Sequence, residues 1–254
     1  MIQLENLIWY FKIKVGLKNY NTNMRVALVC IAKNEENYIK EWIDYNKKLW
    51  FDDIFIYQND WVYNVEYDNV HYDTWNGLLK QTACYNKFVQ LYHDKYDWAA
   101  FFDVDEFLVL KKHNNIKEFI EDYKEYNAIG INWRLFGNNG HDKVIDDNYN
   151  VLERFTKREN NRNPNIKSII KLKKDITMLV HHPFDIPMVD TNYNVFRSGI
   201  WNFKGTTDVA QLNHYFCKTR EEFEKKCERG RADGVATQFR KMSEYEASLA
   251  SVRI

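Results

Sequence analysis

Hydrophobic residues along this chain fall into short unbroken runs separated by stretches of helical spacing. That pattern marks strands buried on both faces that alternate with amphipathic helices. Met24-Arg-Val-Ala-Leu-Val-Cys-Ile-Ala32 is the first such run, rich in β-branched residues and short for a helix. Lys33-Asn34-Glu35-Glu36 comes directly after it. Asn34 suits a helix N-cap, the two glutamates suit a first turn, and Tyr38, Ile39, Trp42, Ile43 and Leu49 then share one helical face. Ile54 to Tyr57 predicts a second strand ending in polar Gln58-Asn59-Asp60. Val65 to Tyr72 predicts a weaker strand, and Leu78 to His93 a helix.

The next run, Trp98-Ala-Ala-Phe-Phe102, enters the acidic cluster Asp103-Val-Asp105-Glu106 and resumes as Phe107-Leu-Val-Leu110. It reads as a buried strand carrying carboxylates to its carboxyl end, where open α/β sheets place ligands. Strands alternating with helices predict an α/β fold, a parallel, Rossmann-like sheet with right-handed crossovers. Further on, Ile116 to Tyr126 predicts a helix, and Ala128 to Phe136 a strand closed by Gly137-Asn-Asn-Gly140. Val151 to Phe155, Lys167 to Leu172 and Ile176 to Val180 predict short strands, with a loop at Asn160 to Asn165. Thr219-Arg-Glu-Glu222 fits a capping box opening a last helix that Gly230 is placed to stop.

Composition narrows the function classes. The chain has 254 residues and a formal net charge of zero, so no basic field argues for nucleic acid. Aromatic residues make up 16%, which suits a sugar or base site as well as a core. The four cysteines are irregularly spaced, which excludes a metal knuckle or disulfide framework and makes a reducing, cytoplasmic setting the default expectation. No signal peptide or long apolar run stands out, and Leu7 to Val15, with its aromatics and lysines, suits either a helix on the domain or a peripheral contact at the inner face of a membrane. Gly-x-Gly-x-x-Gly and Walker motifs are absent, which argues against a dinucleotide or P-loop site.

An Asp-x-Asp arises by chance about once or twice in a chain this long, so its setting gives it weight. Two carboxylates at the end of an apolar strand raise each other's pKa and lose solvation unless a positive charge joins them. A divalent cation bound by oxygens, Mg²⁺ or Mn²⁺, answers that need and usually grips substrate phosphates as well. His214, in Leu212-Asn-His-Tyr-Phe216, reads by itself as a packed core imidazole more readily than as a ligand. A haloacid dehalogenase-like phosphohydrolase also carries Asp-x-Asp after a strand, but Phe107 stands where that group wants Thr or Val. A non-catalytic carbohydrate-binding protein is a further alternative.

Four motifs in sequence order, Cys30-Ile-Ala-Lys-Asn-Glu-Glu-Asn-Tyr-Ile-Lys-Glu-Trp42, Phe102-Asp-Val-Asp-Glu-Phe107, Ile131-Asn-Trp-Arg-Leu-Phe-Gly137 and Leu212-Asn-His-Tyr215 with Glu221-Glu-Phe223, resemble the family 2-related and family 92 (domain of unknown function 23) glycosyltransferases of the GT-A fold. The resemblance implies a metal-dependent glycosyltransferase moving one sugar from a UDP-linked donor, such as UDP-galactose or UDP-glucose, to a glycan or glycolipid acceptor in surface polysaccharide or lipooligosaccharide assembly. It implies a cation at Asp103, Asp105 and His214, with Lys33, Asn34, Glu35, Asp60, Gln81, Asn86, Arg229 and Arg231 toward the donor. For an inverting transfer, Asp142 is the first candidate base, with Glu153 and Asp185 as alternatives. The resemblance implies a GT-A Rossmann-like mixed sheet flanked by helices, with a C-terminal acceptor-side region of short strands and helices; the implied organisation is an N-terminal segment over 1–23, a nucleotide-sugar half over 24–110, and an acceptor half with C-terminal helices over 111–254, in one continuous domain.

Overall fold

The computed structural model describes residues 23–63, 65–229 and 241–252. The expectations for the opening segment, Gly230 and Arg231 lie outside the described residues. The strands are β1 (Val26–Ala32), β2 (Asp53–Gln58), β3 (Val70–Thr74), β4 (Trp98–Phe101), β5 (Glu106–Leu110), β6 (Ala128–Leu135), β7 (Ile166–Lys171), β8 (Met188–Val189), β9 (Val195–Phe196) and β10 (Ala210–His214). The helices are α1 (Ile39–Lys47), α2 (Gln81–Tyr92), α3 (Ile116–Glu121), α4 (Val151–Arg154), α5 (Arg220–Glu228) and α6 (Met242–Val252).

All ten strands join one mixed sheet whose main path runs β3-β2-β1-β4-β7-β6-β10-β5. The first four in that path are parallel, as the alternation of strands and helices requires. β1 shows why the sequence read as doubly buried. Its residues alternate between Val26, Leu28, Cys30 and Ala32, which join Trp42 of α1, and Ala27, Val29 and Ile31, which join Phe88 of α2.

From β7 onward the pairing becomes mixed, because β7 runs antiparallel to both β4 and β6. β10 pairs parallel with β6 and antiparallel with β5, so it is the seam between the strand end at residue 106 and the later part of the chain. β5 lies at the end of the path, and α1 covers its outer edge: Trp42 Nε1 donates to the Glu106 carbonyl at 3.0 Å and Tyr45 Oη to the Leu108 carbonyl at 2.7 Å. These ring donors satisfy backbone acceptors that would otherwise invite another strand.

Three local expectations fail for identifiable reasons. Asn34 does not cap a helix; it sits at φ 49°, and α1 starts only at Ile39 because the Glu35 carbonyl takes the N–H groups of both Tyr38 and Ile39 at 2.9 Å. Val151 to Phe155 forms the helical turn α4 instead of a strand. The Glu41 carboxylate accepts the N–H groups of Val151 (2.7 Å) and Leu152 (3.2 Å), which stabilises a helix start. Ile176 to Val180 makes one isolated bridge, Met178 with Pro183, since the Asn86 amide occupies both backbone groups of Met178. The capping box at Thr219 and Glu222 is present as the sequence suggested. No helix among the described residues is long and apolar enough to cross a membrane.

Candidate active site

β4 ends at Phe101, and the chain turns through Phe102 to Asp105 before β5 begins, closed by the Glu106 N–H on the Asp103 carbonyl at 3.0 Å. The apolar run therefore belongs to two strands, and the Asp-x-Asp is the turn between them. This turn opens on a cavity of about 460 Å³, also bordered by Lys33, Glu35, Gln81, Trp133, His181, His214, Lys226, Arg229 and Glu244.

The two aspartates have different company. Asp103, half-buried, accepts from Gln81 Nε2 at 2.8 Å and from Lys167 Nζ at 2.9 Å. Burial works against its charge, but the Lys167 ammonium prevails and holds the pKa below the ordinary range. Lys167 is completely buried, and its ammonium is kept charged against that burial by Asp103 and by Glu106, 3.9 Å away. Burial instead pushes the fully enclosed Glu106 well up, and its Oε2 accepts the Asp103 N–H at 2.9 Å.

Asp105 is buried and faces two groups from later in the chain. Lys226 Nζ of α5 lies 2.5 Å from Oδ2, and His214 Nε2 of β10 lies 3.5 Å from Oδ1. Again burial opposes ionisation, and Lys226 with His214 outweighs it, so the carboxyl stays well below its usual value. Register explains His214: it pairs across from Glu106 on one side and Leu135 on the other, with the Trp133 ring packed at a tilt against it, centroids 4.2 Å apart. Burial lowers the His214 pKa, outweighing the Asp105 carboxylate, which favours the charged ring.

Among the described residues no three His, Cys, Asp or Glu side chains converge tightly enough for a metal ion. One edge pairs two of them: His214 Nε2 stands 3.5 Å from Asp105 Oδ1, a hydrogen-bonding separation. The other ring nitrogen, Nδ1, is buried without a hydrogen-bond partner. Asp103 stands apart from this edge because Lys167 and Gln81 hold both of its oxygens.

The remaining sequence candidates divide. Lys33, Glu35, Gln81 and Arg229 border the cavity. Glu35 and Arg229 pair with each other, and Arg229 also donates to the Lys33 and Asn34 carbonyls at 2.5 and 3.0 Å, so its guanidinium ties α5 to the loop after β1. Lys33 is paired with Asp60 at 3.0 Å, and exposed Asp60 receives the Gly77 N–H at 3.1 Å. Asn86 is spent on Met178, away from the cavity. Asp142, Glu153 and Asp185 are exposed and outside its lining; the Asp142 backbone carbonyl accepts the Glu221 N–H at 3.0 Å.

Sequence reasoning missed Lys167, Lys226 and Glu244. For Lys226 a signal existed: it stands three residues after Phe223 and four after Glu222, which puts it on the buried stripe of α5.

The family model for glycosyltransferase family 92 matches residues 27–249. This chain belongs to glycosyltransferase family 92. A family 92 protein of Arabidopsis thaliana is 24% identical over 216 residues, which are 76% of this chain and 35% of that protein. The chain thus spans about a third of the length of that relative. Among solved structures, similarity extends to the WbbM bifunctional glycosyltransferase (TM-score 0.30, 15% identity, 45% of this chain and 24% of that one). It also extends to a 4-diphosphocytidyl-2C-methyl-D-erythritol synthase from Anaerococcus prevotii (TM-score 0.30, 10% identity, 58% and 71% of the two chains). The family 92 match takes in the β4–β5 turn, β10 and α5, the three elements that meet at Asp105.

Proposed function

We propose that this family 92 chain transfers one hexose from a UDP-hexose, with UDP-galactose and UDP-glucose the first donors to try, to a hydroxyl of a glycan. The observation that carries this reading is the meeting of Asp105 and His214 at one cavity, 109 positions apart in the chain. Asp105 and His214 would hold a Mn²⁺ or Mg²⁺ ion. When bound, such an ion supplies charge stabilisation for the diphosphate leaving group.

The protein's own residues do the rest. Lys167 and Gln81 fix Asp103 at the turn, and Trp133 fixes the His214 ring. An inverting displacement requires a carboxylate within reach of the acceptor hydroxyl. Glu35, Asp103 and Asp105 each bear a lysine or arginine partner, whereas Glu244 holds only the Lys241 backbone N–H at 3.1 Å in the hydrogen bonds described. We assign the acceptor proton to Glu244 in place of Asp142 and Glu153, which lie outside the lining. On the acceptor side we add exposed Trp201, which bridges the cavity-lining Asn165, and its neighbour Phe203, ring faces on which a sugar can stack.

The test is UDP release from a panel of nucleotide sugars, with and without Mn²⁺ and with a chelator. Metal-dependent release from at least one UDP-sugar is expected. No release from any donor, together with no thermal stabilisation by UDP and Mn²⁺, overturns the reading.

A further inference from the structure

We propose that Lys111, Arg134, Arg158 and Arg162 form a second binding site, behind β6 from the cavity, for an acidic sugar of the glycan acceptor, a uronate carboxylate or a sugar sulfate. That the acid belongs to an acceptor rests on the transferase reading above; the anion site itself does not. Trp133 and Leu135 line the cavity, so strand alternation turns Arg134, between them, to the other face of β6. The bridge of Phe136 with Arg158, and the Glu159 N–H on the Leu135 carbonyl at 3.0 Å, set Arg158 diagonally across from Arg134 on that face. Arg134 donates to the Asn160 carbonyl and, at 2.9 Å, to Thr207 Oγ1. Two residues beyond Thr207, the Val209 carbonyl accepts the Lys111 N–H at 2.8 Å, which brings the end of β5 alongside.

The charges there are unbalanced. Among the described residues, none of the four cations has a carboxylate within ion-pair distance. Glu159 spends Oε1 on the Leu135 N–H at 2.9 Å, and exposed Asp208 accepts from Thr206 Oγ1 at 2.7 Å. Four cations against these two acids leave a surplus of two positive charges. Burial, then the like charge of Arg158, lowers the Arg134 pKa, and burial with Arg134 and Arg158 lowers that of Lys111. The Nε–H groups of Arg134 and Arg162 are buried with no acceptor among the described residues. An oxyanion answers the charge and the idle donors together. The surroundings favour a sugar as its carrier. Asn160, Asn161 and Thr206 offer amides and a hydroxyl to sugar hydroxyls, whereas exposed Asp208 opposes an anionic bilayer. Asn163, next to Arg162, lines the cavity, so one loop borders both places.

Calorimetric titration of the full chain, without donor or metal, tests the site with trigalacturonate, sulfated neocarratetraose and neutral maltotetraose. At least one acidic sugar should bind, more weakly as NaCl is added, and maltotetraose should bind at least about tenfold more weakly. Arg134→Gln and Arg158→Gln should each weaken acidic binding about tenfold, the usual size of a lost charge-assisted hydrogen bond. If Arg134→Gln does not fold, Lys111→Gln, at an exposed position, takes its place. The acid that binds better tells carboxylate from sulfate. No binding of either acid, an affinity unchanged in the variants, or equal affinity for maltotetraose overturns the proposal. Binding to phosphatidylserine vesicles in place of the acidic sugars assigns the patch to a membrane and overturns it as well. UDP release by a chain that ignores both acids sinks this inference alone, whereas acid binding by a chain that releases no UDP supports the anion site and sinks the transferase reading alone.

Discussion

At the β4–β5 turn both aspartates are held by a lysine from another element, whereas the stretch from Pro183 to Phe203 leaves Phe184, Trp201 and Phe203 in solvent. Asp103 and Asp105 have Lys167 and Lys226, and Glu106 is sealed beneath them. Phe184, Trp201 and Phe203 are each more than half exposed, on a segment whose strands, β8 and β9, are two residues long. The first region sits where strands fix each residue's direction, so charges can be buried in matched pairs. The second buries Met188 and Val189 on its short strands, and its exposed rings lie on the turns around them, with the bridge of Asn165 to Trp201 as one anchor. In the proposed transfer, a donor with a fixed diphosphate would use the first kind of surface, and a longer, more variable sugar chain the second.

This contrast is sharpest at Asp105. Asp105→Asn should cut metal-dependent UDP release by about a thousandfold, the scale of losing one preorganised electrostatic group. Asp103→Asn should cost clearly less, because Asp103 is committed to Lys167 and Gln81. Steady-state turnover of the two variants decides, and equal losses would make the two aspartates one functional unit.

Next in size, Lys167→Met should destabilise the fold by about 3–5 kcal/mol by stranding Asp103 beside Glu106 without its buried counter-charge. Urea denaturation measures it, and a loss under about 1 kcal/mol would mean that the turn does not depend on that pair.

Glu222 offers an acid test of the same principle away from the cavity. Burial opposes its charge, but the bidentate Arg154 contact at 2.9 and 2.7 Å and the Thr219 cap bring its pKa down to about 2. A carboxyl whose folded pKa is depressed stabilises the fold above its unfolded value and loses that contribution as pH falls. Stability should therefore drop by roughly 3 kcal/mol between about pH 4.5 and pH 2. Arg154→Ala should remove most of that acid dependence, which denaturation curves across the window will show.

The smallest effects belong to the exposed rim. Trp201→Ala and Phe203→Ala should each raise the KM for a glycan acceptor by about three- to tenfold, the worth of a stacked ring. Acceptor-independent hydrolysis of the donor should stay unchanged. An unaltered acceptor KM would move the acceptor elsewhere on the surface.

The same contrast explains what could be read in the sequence. β1, β2, β6 and the acidic turn announce themselves because unbroken apolar runs admit few alternatives, and the alternation with helices then orders the parallel strands. What stayed hidden depends on partners far along the chain. Val151 to Phe155 has a strand's composition and becomes helical only because Glu41, 110 positions earlier, supplies its missing acceptors. Asn34 reads as a cap because the Arg229 guanidinium that claims its carbonyl is invisible locally. Lys167 looks like one polar position in a strand; its buried ammonium is matched by Asp103 and Glu106, some sixty positions earlier. Asp142 was suggested by its place after a glycine turn, and sequence adjacency alone does not reveal that its side chain lies outside the cavity lining.

β10 gives the molecule an unusual economy of parts. Among the described residues it is the sole sheet partner of β5 and the carrier of His214, so one five-residue segment both completes the sheet and delivers the imidazole. A chain cut short before residue 210 would thus lose His214 and leave β5 without its sheet partner, and the cavity would lose one of its walls with them.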